Sequence, residues 1–205
     1  FRDFVELFDA RFNPEVCQDR VTGQKEIVAS IREALDSVAN ADEDRILRRF
    51  LSVIQAVVRT NFYQHRLIGD SGRQRKPYIS FKIESTKVPE LPEPKPLYEI
   101  WVYSPRVEGI HLRFGKVARG GLRWSDRMED FRTEVLGLVK AQQVKNAVIV
   151  PVGSKGGFVV KNPPPPSDRD LFMKEGVECY KTFLRGLLDL TDNLVANQLV
   201  PPQNV

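Results

Sequence analysis

Helical periodicity dominates the N-terminal part of the chain. Apolar side chains recur at helical spacing over three stretches, the first of which stops before Pro14. A second helix fits residues 23–38, and a third follows Asp42, which we expect to be its N-cap. The third stripe is the clearest of the three and consists of Ile46, Phe50, Ile54, Val57 and Val58. The pattern therefore predicts a helical segment over residues 1–70.

Two-residue alternation replaces this periodicity after a turn-rich break at residues 69–72. Three short stretches then alternate apolar with polar positions, as half-buried strands do. They cover residues 78–83, 97–103 and 109–114. Three neighbouring strands of this kind predict a meander or a mixed sheet.

Helix and strand alternate over the rest of the chain. Asp126 or Asp130 can cap a helix that runs to about Asn146. The apolar run at 147–152 favours a strand buried on both faces. A last helix opens at Ser167 or Asp170, and its apolar stripe is formed by Met173, Val177, Tyr180, Phe183, Leu184 and Leu187.

These elements predict an α/β fold, with a mixed sheet flanked by helices over residues 71–205 and the helical segment before it. The chain has 205 residues, of which 41% are hydrophobic and 28% charged, as in globular proteins. No apolar run approaches the ~20 residues that span a bilayer, so we expect no membrane insertion. The sequence begins with Phe1 rather than Met and ends in a loop-like stretch, and we expect a piece of a longer protein.

Charge and cysteine content narrow the range of partners. A net charge of +4 suits anionic ligands, but without a clustered basic patch we expect no nucleic acid. Cys17 and Cys179 lie far apart, so neither a disulfide nor a zinc site is expected, and a cytoplasmic location fits. With two histidines in the chain, no metal site is predicted.

Lys145 continues the inward-facing stripe of the helix after residue 126. At ~100° per residue, one face of that helix carries Phe131, Val135, Leu138, Gln142 and Lys145. Lys140 points roughly the opposite way. The residues alone leave two interpretations open, because Lys145 either binds a ligand or only caps the helix, whose dipole favours a cation there.

Two glycine-rich segments each carry basic residues. Lys155 lies within Gly153–Gly157, and a lysine partly removed from water there can act as a general acid or base near pH 7. In Arg119–Arg123, the arginine fork suits a carboxylate, which Gly120 and Gly121 allow to approach closely. An exposed turn lysine and a surface hairpin are the alternative interpretations. Neither a P-loop nor a G-x-G-x-x-G fingerprint occurs in the sequence, so no cofactor-binding residues are predicted.

In their order and spacing, these segments resemble the glutamate/leucine/phenylalanine/valine dehydrogenase family. That family has a basic-Gly-Gly-Leu-Arg loop, matched here by Arg119–Arg123, and a helix that ends in a lysine, matched by Lys145. A strand containing proline and a Gly-x-Lys-Gly-Gly loop follow, matched by Pro151 and Gly153–Gly157. The resemblance is most specific over residues 112–160 and is closest to the large NAD-dependent glutamate dehydrogenases.

The resemblance implies a role for each matching residue. Lys155 corresponds to the catalytic lysine, which activates the water or the carbonyl, and Lys145 to the lysine that holds the substrate α-carboxylate. Arg119 stands where the family has a lysine for the side-chain carboxylate. Gly120 and Gly121 complete the substrate-binding loop.

The resemblance also implies which parts are missing. The family's catalytic aspartate and its nucleotide-binding domain have no counterpart in this chain. We therefore expect a substrate-domain fragment of an NAD-dependent glutamate dehydrogenase, inactive alone, whose homo-oligomeric parent binds NAD and oxidatively deaminates L-glutamate to 2-oxoglutarate and ammonia. Two alternatives stay open: a dehydrogenase for an apolar amino acid, and a non-catalytic binding or oligomerisation module using the basic helix at 42–64.

Overall fold

The computed structural model describes residues 1–16, 20–68, 72–116, 120–145 and 152–205. Within these ranges the helices are α1 (Arg2–Phe12), α2 (Arg20–Leu35), α3 (Ala41–Ala56), α4 (Phe131–Lys145) and α5 (Arg169–Leu188). The first eight strands are β1 (Val57–Thr60), β2 (His65–Ile68), β3 (Gly72–Arg75), β4 (Ile79–Ile83), β5 (Tyr98–Tyr103), β6 (Val107–Arg113), β7 (Leu122–Trp124) and β8 (Ser154–Val160). A final hairpin consists of β9 (Asn193–Val195) and β10 (Gln198–Val200).

A mixed sheet of six strands forms the centre of the described structure. Its order is β1-β4-β5-β6-β8-β7, and its neighbours are antiparallel except for β8 and β7, which run parallel. Strands β4, β5 and β6 coincide with the three stretches predicted from alternation. The predicted α/β fold, with a mixed sheet and an N-terminal helical portion, is confirmed.

Each face of the sheet packs against one helix. On one face, α4 buries an apolar cluster of Ile110, Leu112, Phe131, Val135, Leu136, Val139 and Val159. On the other face, α5 completes a cluster of Ile100, Val102, Val107, Phe158, Val160, Cys179, Phe183 and Leu190. Because side chains alternate across a strand, neighbouring residues of β8 serve opposite cores.

The three N-terminal helices share a core of their own, formed by Leu7, Ile31, Leu35 and Leu51. Helix α3 runs directly into β1, so this helical portion is joined to the sheet without a linker. Arg11 fastens the junction, because its Nη2 donates to the carbonyl oxygens of Gln55 (3.1 Å) and Val57 (2.9 Å).

Both ends of α3 differ from the prediction. Asn40, not Asp42, is the N-cap, and its side chain accepts from the backbone N–H groups of Asp42 and Glu43. The helix ends at Ala56, whereas we predicted that Val57 and Val58 continue it. These β-branched residues instead join the sheet as β1, which pairs with β4.

The apolar stripe predicted for α5 is only partly buried. Phe183 is fully buried, but Met173, Val177 and Tyr180 are 49%, 45% and 40% exposed. Glycines take part in the buried face instead, and a Cβ at Gly176 would lie 2.3 Å from the Trp124 ring. Small residues let the helix approach the sheet closely, which a search for apolar residues alone overlooks.

The start of α5 also differs from the prediction, whereas the start of α4 agrees with it. Asp168 is the N-cap of α5, where its side chain accepts from the N–H of Leu171 at 3.1 Å. Helix α4 begins immediately after Asp130, as the later of the two predicted starts requires. Most of the strand predicted at 147–152 lies outside the described residues. Among the helices that are described, none has the length and apolarity needed to cross a membrane.

Candidate functional site

Lys155 lies inside the sheet rather than in the glycine-rich loop that we predicted. It is the second residue of β8, where it pairs with Leu112 of β6, while the next residue, Gly156, pairs with Leu122 of β7. Glycine usually weakens a strand because it has no side chain to pack, but here side chains of the neighbouring strands fill the space beside Gly156. A Cβ at Gly156 would lie 2.4 Å from Leu122 Cδ2. The lysine is thus carried by a strand held on both sides.

Gly120 and Gly121 lie directly against the start of β8. A Cβ at Gly120 would lie 1.4 Å from the carbonyl oxygen of Ser154, so the two backbones are in contact. A Cβ at Gly121 would lie 3.9 Å from Lys155 Nζ. The N–H of Gly156 donates to the carbonyl oxygen of Gly121 at 3.2 Å. The structure therefore brings together the two glycine-rich segments, including three of the predicted site residues.

The C-terminal end of α4 reaches the same corner of the sheet. Gln142 lies one turn before the end of the helix, and its Oε1 is 3.0 Å from the Cβ position of Gly153. Lys145 is the last residue of α4. The side chain of Lys145 and the whole of Arg119 lie outside the described residues, so their predicted convergence with Lys155 stays a prediction.

Arg123, which belongs to the same motif, has a structural contact. Its Nε lies 2.7 Å from Glu134 Oε1 on α4, and the hydroxyl of Ser125 donates to Glu134 Oε2 at 2.5 Å. The side chain of Glu134 is 12% exposed. Strand β7 is therefore tied to α4 at two positions beyond its pairing with β8.

The contacts of Glu134 with Arg123 and Ser125 were not predicted from the sequence. Gly121, Arg123 and Ser125 follow one another at a spacing of two, which places them on the same side of an extended chain. That alternation was available in the sequence, but no periodicity identifies Glu134 as the partner on a separate helix.

A second ion pair ties α4 to β5, further across the same face of the sheet. Arg132 makes a bidentate contact with Glu99 of β5, at 2.5 and 3.0 Å. The Glu99 side chain is 6% exposed. Together with the Glu134 contacts, this pair anchors the start of α4 on both flanks, which fixes where its C-terminal end meets Gly153.

The reverse face of the same strands carries His111. It pairs with Gly156 across β6 and β8, on the side of the sheet opposite Lys155. Burial, and secondarily the charge of Arg113, lowers the pKa of His111 to about 4. The imidazole is therefore neutral at pH 7 and adds no charge behind the lysine.

The described glycine-rich segments do not fit a dinucleotide. Such a site needs a glycine-rich turn between a strand and the N-terminus of a helix. Here Gly120 faces Ser154, Gly156 faces Leu122, and Gly157 has a Cβ position 2.6 Å from Val135 Cγ2. These glycines serve close packing within the sheet and against α4, and no helix begins at either segment.

Comparison with known proteins identifies the family of the chain. The family described as bacterial NAD-glutamate dehydrogenase, catalytic domain, matches residues 30–205. The chain belongs to this family. The match includes all of the sheet and every predicted site residue.

Full-length relatives of the family align over the entire chain. It is 58% identical to the NAD-specific glutamate dehydrogenase of Pseudomonas aeruginosa, 53% to that of Halomonas elongata and 51% to that of Mycobacterium tuberculosis. In each case the alignment covers 100% of this chain. The chain spans only 12% of the length of the first two relatives and 13% of the third.

Proposed function

We propose that this chain supplies the substrate-binding wall of an NAD-dependent glutamate dehydrogenase. The reaction of the whole enzyme is the oxidative deamination of L-glutamate to 2-oxoglutarate and ammonia. The observation that carries the proposal is the placement of Lys155 Nζ beside Gly121, in a chain whose family is that of NAD-glutamate dehydrogenases.

The chemistry assigned to these residues is binding and proton transfer. Lys145 and Arg119 bind the two carboxylates of the substrate, because a cation recognises a carboxylate with charge-assisted hydrogen bonds. Gly120 and Gly121 let the substrate approach the backbone. Lys155 exchanges a proton with the water or carbonyl oxygen at the reacting carbon.

NAD, which accepts the hydride, is assigned to a part of the enzyme outside this chain. Gly120, Gly156 and Gly157 pack against protein, so none of them is proposed as a nucleotide ligand. We further propose a cytoplasmic homo-oligomer as the working form of the whole enzyme.

The test is an assay of the full-length enzyme with NAD against a panel of amino acids. We expect glutamate to be oxidised far better than leucine, valine or phenylalanine, because an apolar side chain gains nothing from Arg119. Faster oxidation of leucine, valine or phenylalanine would instead support the alternative of a dehydrogenase for an apolar amino acid. No turnover with any of them would support a binding or oligomerisation module.

A further inference from the structure

Strand β7 is short and lies at one edge of the described six-stranded sheet. It contains three residues and pairs only with β8 within the described sheet. A strand with so few ladder hydrogen bonds needs further contacts to hold its position. Trp124 packs on α5 on one face of the sheet, and on the other face Glu134 accepts from both Arg123 and Ser125, which flank Trp124.

The Glu134 contacts act at the strand that follows the two glycines directly. Gly121 precedes β7, and its carbonyl oxygen accepts from Gly156 beside Lys155. At the other end, the N–H of Ser125 donates to Phe158 of β8 at 2.8 Å. Moving β7 along or away from β8 would therefore change the separation between Gly121 and the lysine amine.

We propose that Glu134 is a positioning residue for the substrate site. By holding Arg123 and Ser125 against α4, it fixes the loop Gly120–Gly121 beside Lys155, where the substrate carboxylates are bound. The carboxylate touches neither substrate nor reacting atoms in this assignment. This inference rests on the proposed function, since it assumes that the glycine loop forms a wall of the glutamate site.

The chain offers a closely matched control for this contact. Arg106 and Glu175 form an ion pair at 2.5 Å between the β5–β6 turn and α5, on the face of the sheet opposite α4 and the Arg123–Glu134 pair. Its side chains are 56% and 20% exposed, against 54% and 12% for Arg123 and Glu134. Glu175→Gln thus removes a charge of similar environment without touching the glycine loop.

The experiment compares Glu134→Gln, Glu175→Gln and the unchanged full-length enzyme. For Glu134→Gln we expect KM for glutamate to rise about tenfold, while kcat stays within about threefold, because substrate binding is lost uniformly. Amide hydrogen exchange should be faster at residues 121–125 in Glu134→Gln alone. The exchange measurement needs no activity, so it tests the strand contact independently of the reaction.

Two further variants cover the case in which Glu134→Gln folds poorly. Ser125→Ala keeps the ion pair and should give a smaller rise in KM. The reversed pair, Arg123→Glu with Glu134→Arg, should recover most of the wild-type KM. Unchanged KM and unchanged exchange in Glu134→Gln, or no recovery in the reversed pair, would overturn the inference. An unmodified enzyme that oxidises no glutamate would overturn the proposed function instead.

Discussion

Gly120 packs so closely on Ser154 that a Cβ at Gly120 would lie 1.4 Å from the carbonyl oxygen of Ser154. The obstacle is backbone, which cannot rotate aside as the end of a side chain can. At the next position the space is ordinary, because a Cβ at Gly121 meets only Lys155 Nζ, at 3.9 Å. The two glycines therefore have different physical reasons to be present.

Gly120→Ala should separate the glycine loop from β8, with a cost of about 2 kcal/mol in the free energy of unfolding. Denaturant unfolding of the chain measures this cost. Gly121→Ala is the control, and we expect it to change stability by less than about 0.5 kcal/mol. Equal effects of the two substitutions would contradict the backbone contact described here.

Lys155 and Lys145 should affect different kinetic parameters in the full-length enzyme. Lys155→Ala is expected to lower kcat about 100-fold or more, as loss of a general acid–base group does. Lys145→Ala is expected mainly to raise KM, because it removes a carboxylate contact. Lys140, which is exposed on α4, provides a control whose alanine variant should behave as wild type. Near-wild-type kinetics for both Lys155→Ala and Lys145→Ala would exclude the assigned roles.

The two ion pairs near the start of α4 should differ in their contribution to stability. Arg132→Met leaves the carboxylate of Glu99 buried without its partner, which we expect to cost about 3 kcal/mol of unfolding free energy. The pair between Arg127 and Asp130 is solvent-exposed on both sides, and Arg127→Met should change stability too little to measure. Chemical denaturation of the two variants compares them directly. A mild effect of Arg132→Met would show that Glu99 is solvated after the change.

How far the sequence predicts this fold depends on whether apolar residues perform the packing. Strands β4, β5 and β6 follow the alternation of their side chains, and α4 buries Phe131 and Val135 as its periodicity requires. Apolar alternation does not identify β8, because its first half is Ser-Lys-Gly-Gly and the apolar residues that pack against it belong to other elements. Apolar periodicity likewise misses the buried face of α5, because glycines form part of that face.

The candidate site was predictable as a set of segments but not as a geometry. The motifs identified Gly120, Gly121 and Lys155, and the register between β7 and β8 brings them together. Nothing local to these segments identifies Glu134, because its contacts to Arg123 and Ser125 arise only when α4 packs on the sheet. Tertiary contacts between separate elements leave no period in the sequence.

Acidification should destabilise the chain through His111. Its pKa is lowered to about 4 in the folded protein from an ordinary value of 6.5, so between these values the unfolded state binds the proton and the folded state does not. The contribution of His111 to the free energy of unfolding is therefore fully present above about pH 6.5, and it decreases by about 3 kcal/mol as the pH falls towards 4. Unfolding free energies measured across that range provide the test.

His111→Gln should flatten this part of the pH profile, because glutamine does not titrate. The exposed His65 is the matched control, and His65→Gln should leave the acid slope in place. An unaltered slope in His111→Gln would assign the effect to carboxylates elsewhere in the chain.

The 205-residue chain alone should not bind NAD measurably and should show no dehydrogenase activity. A dinucleotide requires backbone N–H groups presented at a helix N-terminus after a glycine-rich turn. In the described residues, Gly120, Gly156 and Gly157 are instead packed against protein atoms. Calorimetry with NAD tests this expectation, with the full-length enzyme as the positive control.

Weak binding of 2-oxoglutarate by the same isolated chain is compatible with this expectation. Lys155 is only partly buried at the corner formed by β7, β8 and α4, so its contacts with a carboxylate are shared with water. A few such half-solvated contacts provide about −4 kcal/mol, which corresponds to millimolar affinity. Lys155→Ala should weaken that binding further in a calorimetric titration. Tight binding of NAD by the chain, with or without 2-oxoglutarate, would contradict the assignment of the nucleotide to another part of the enzyme.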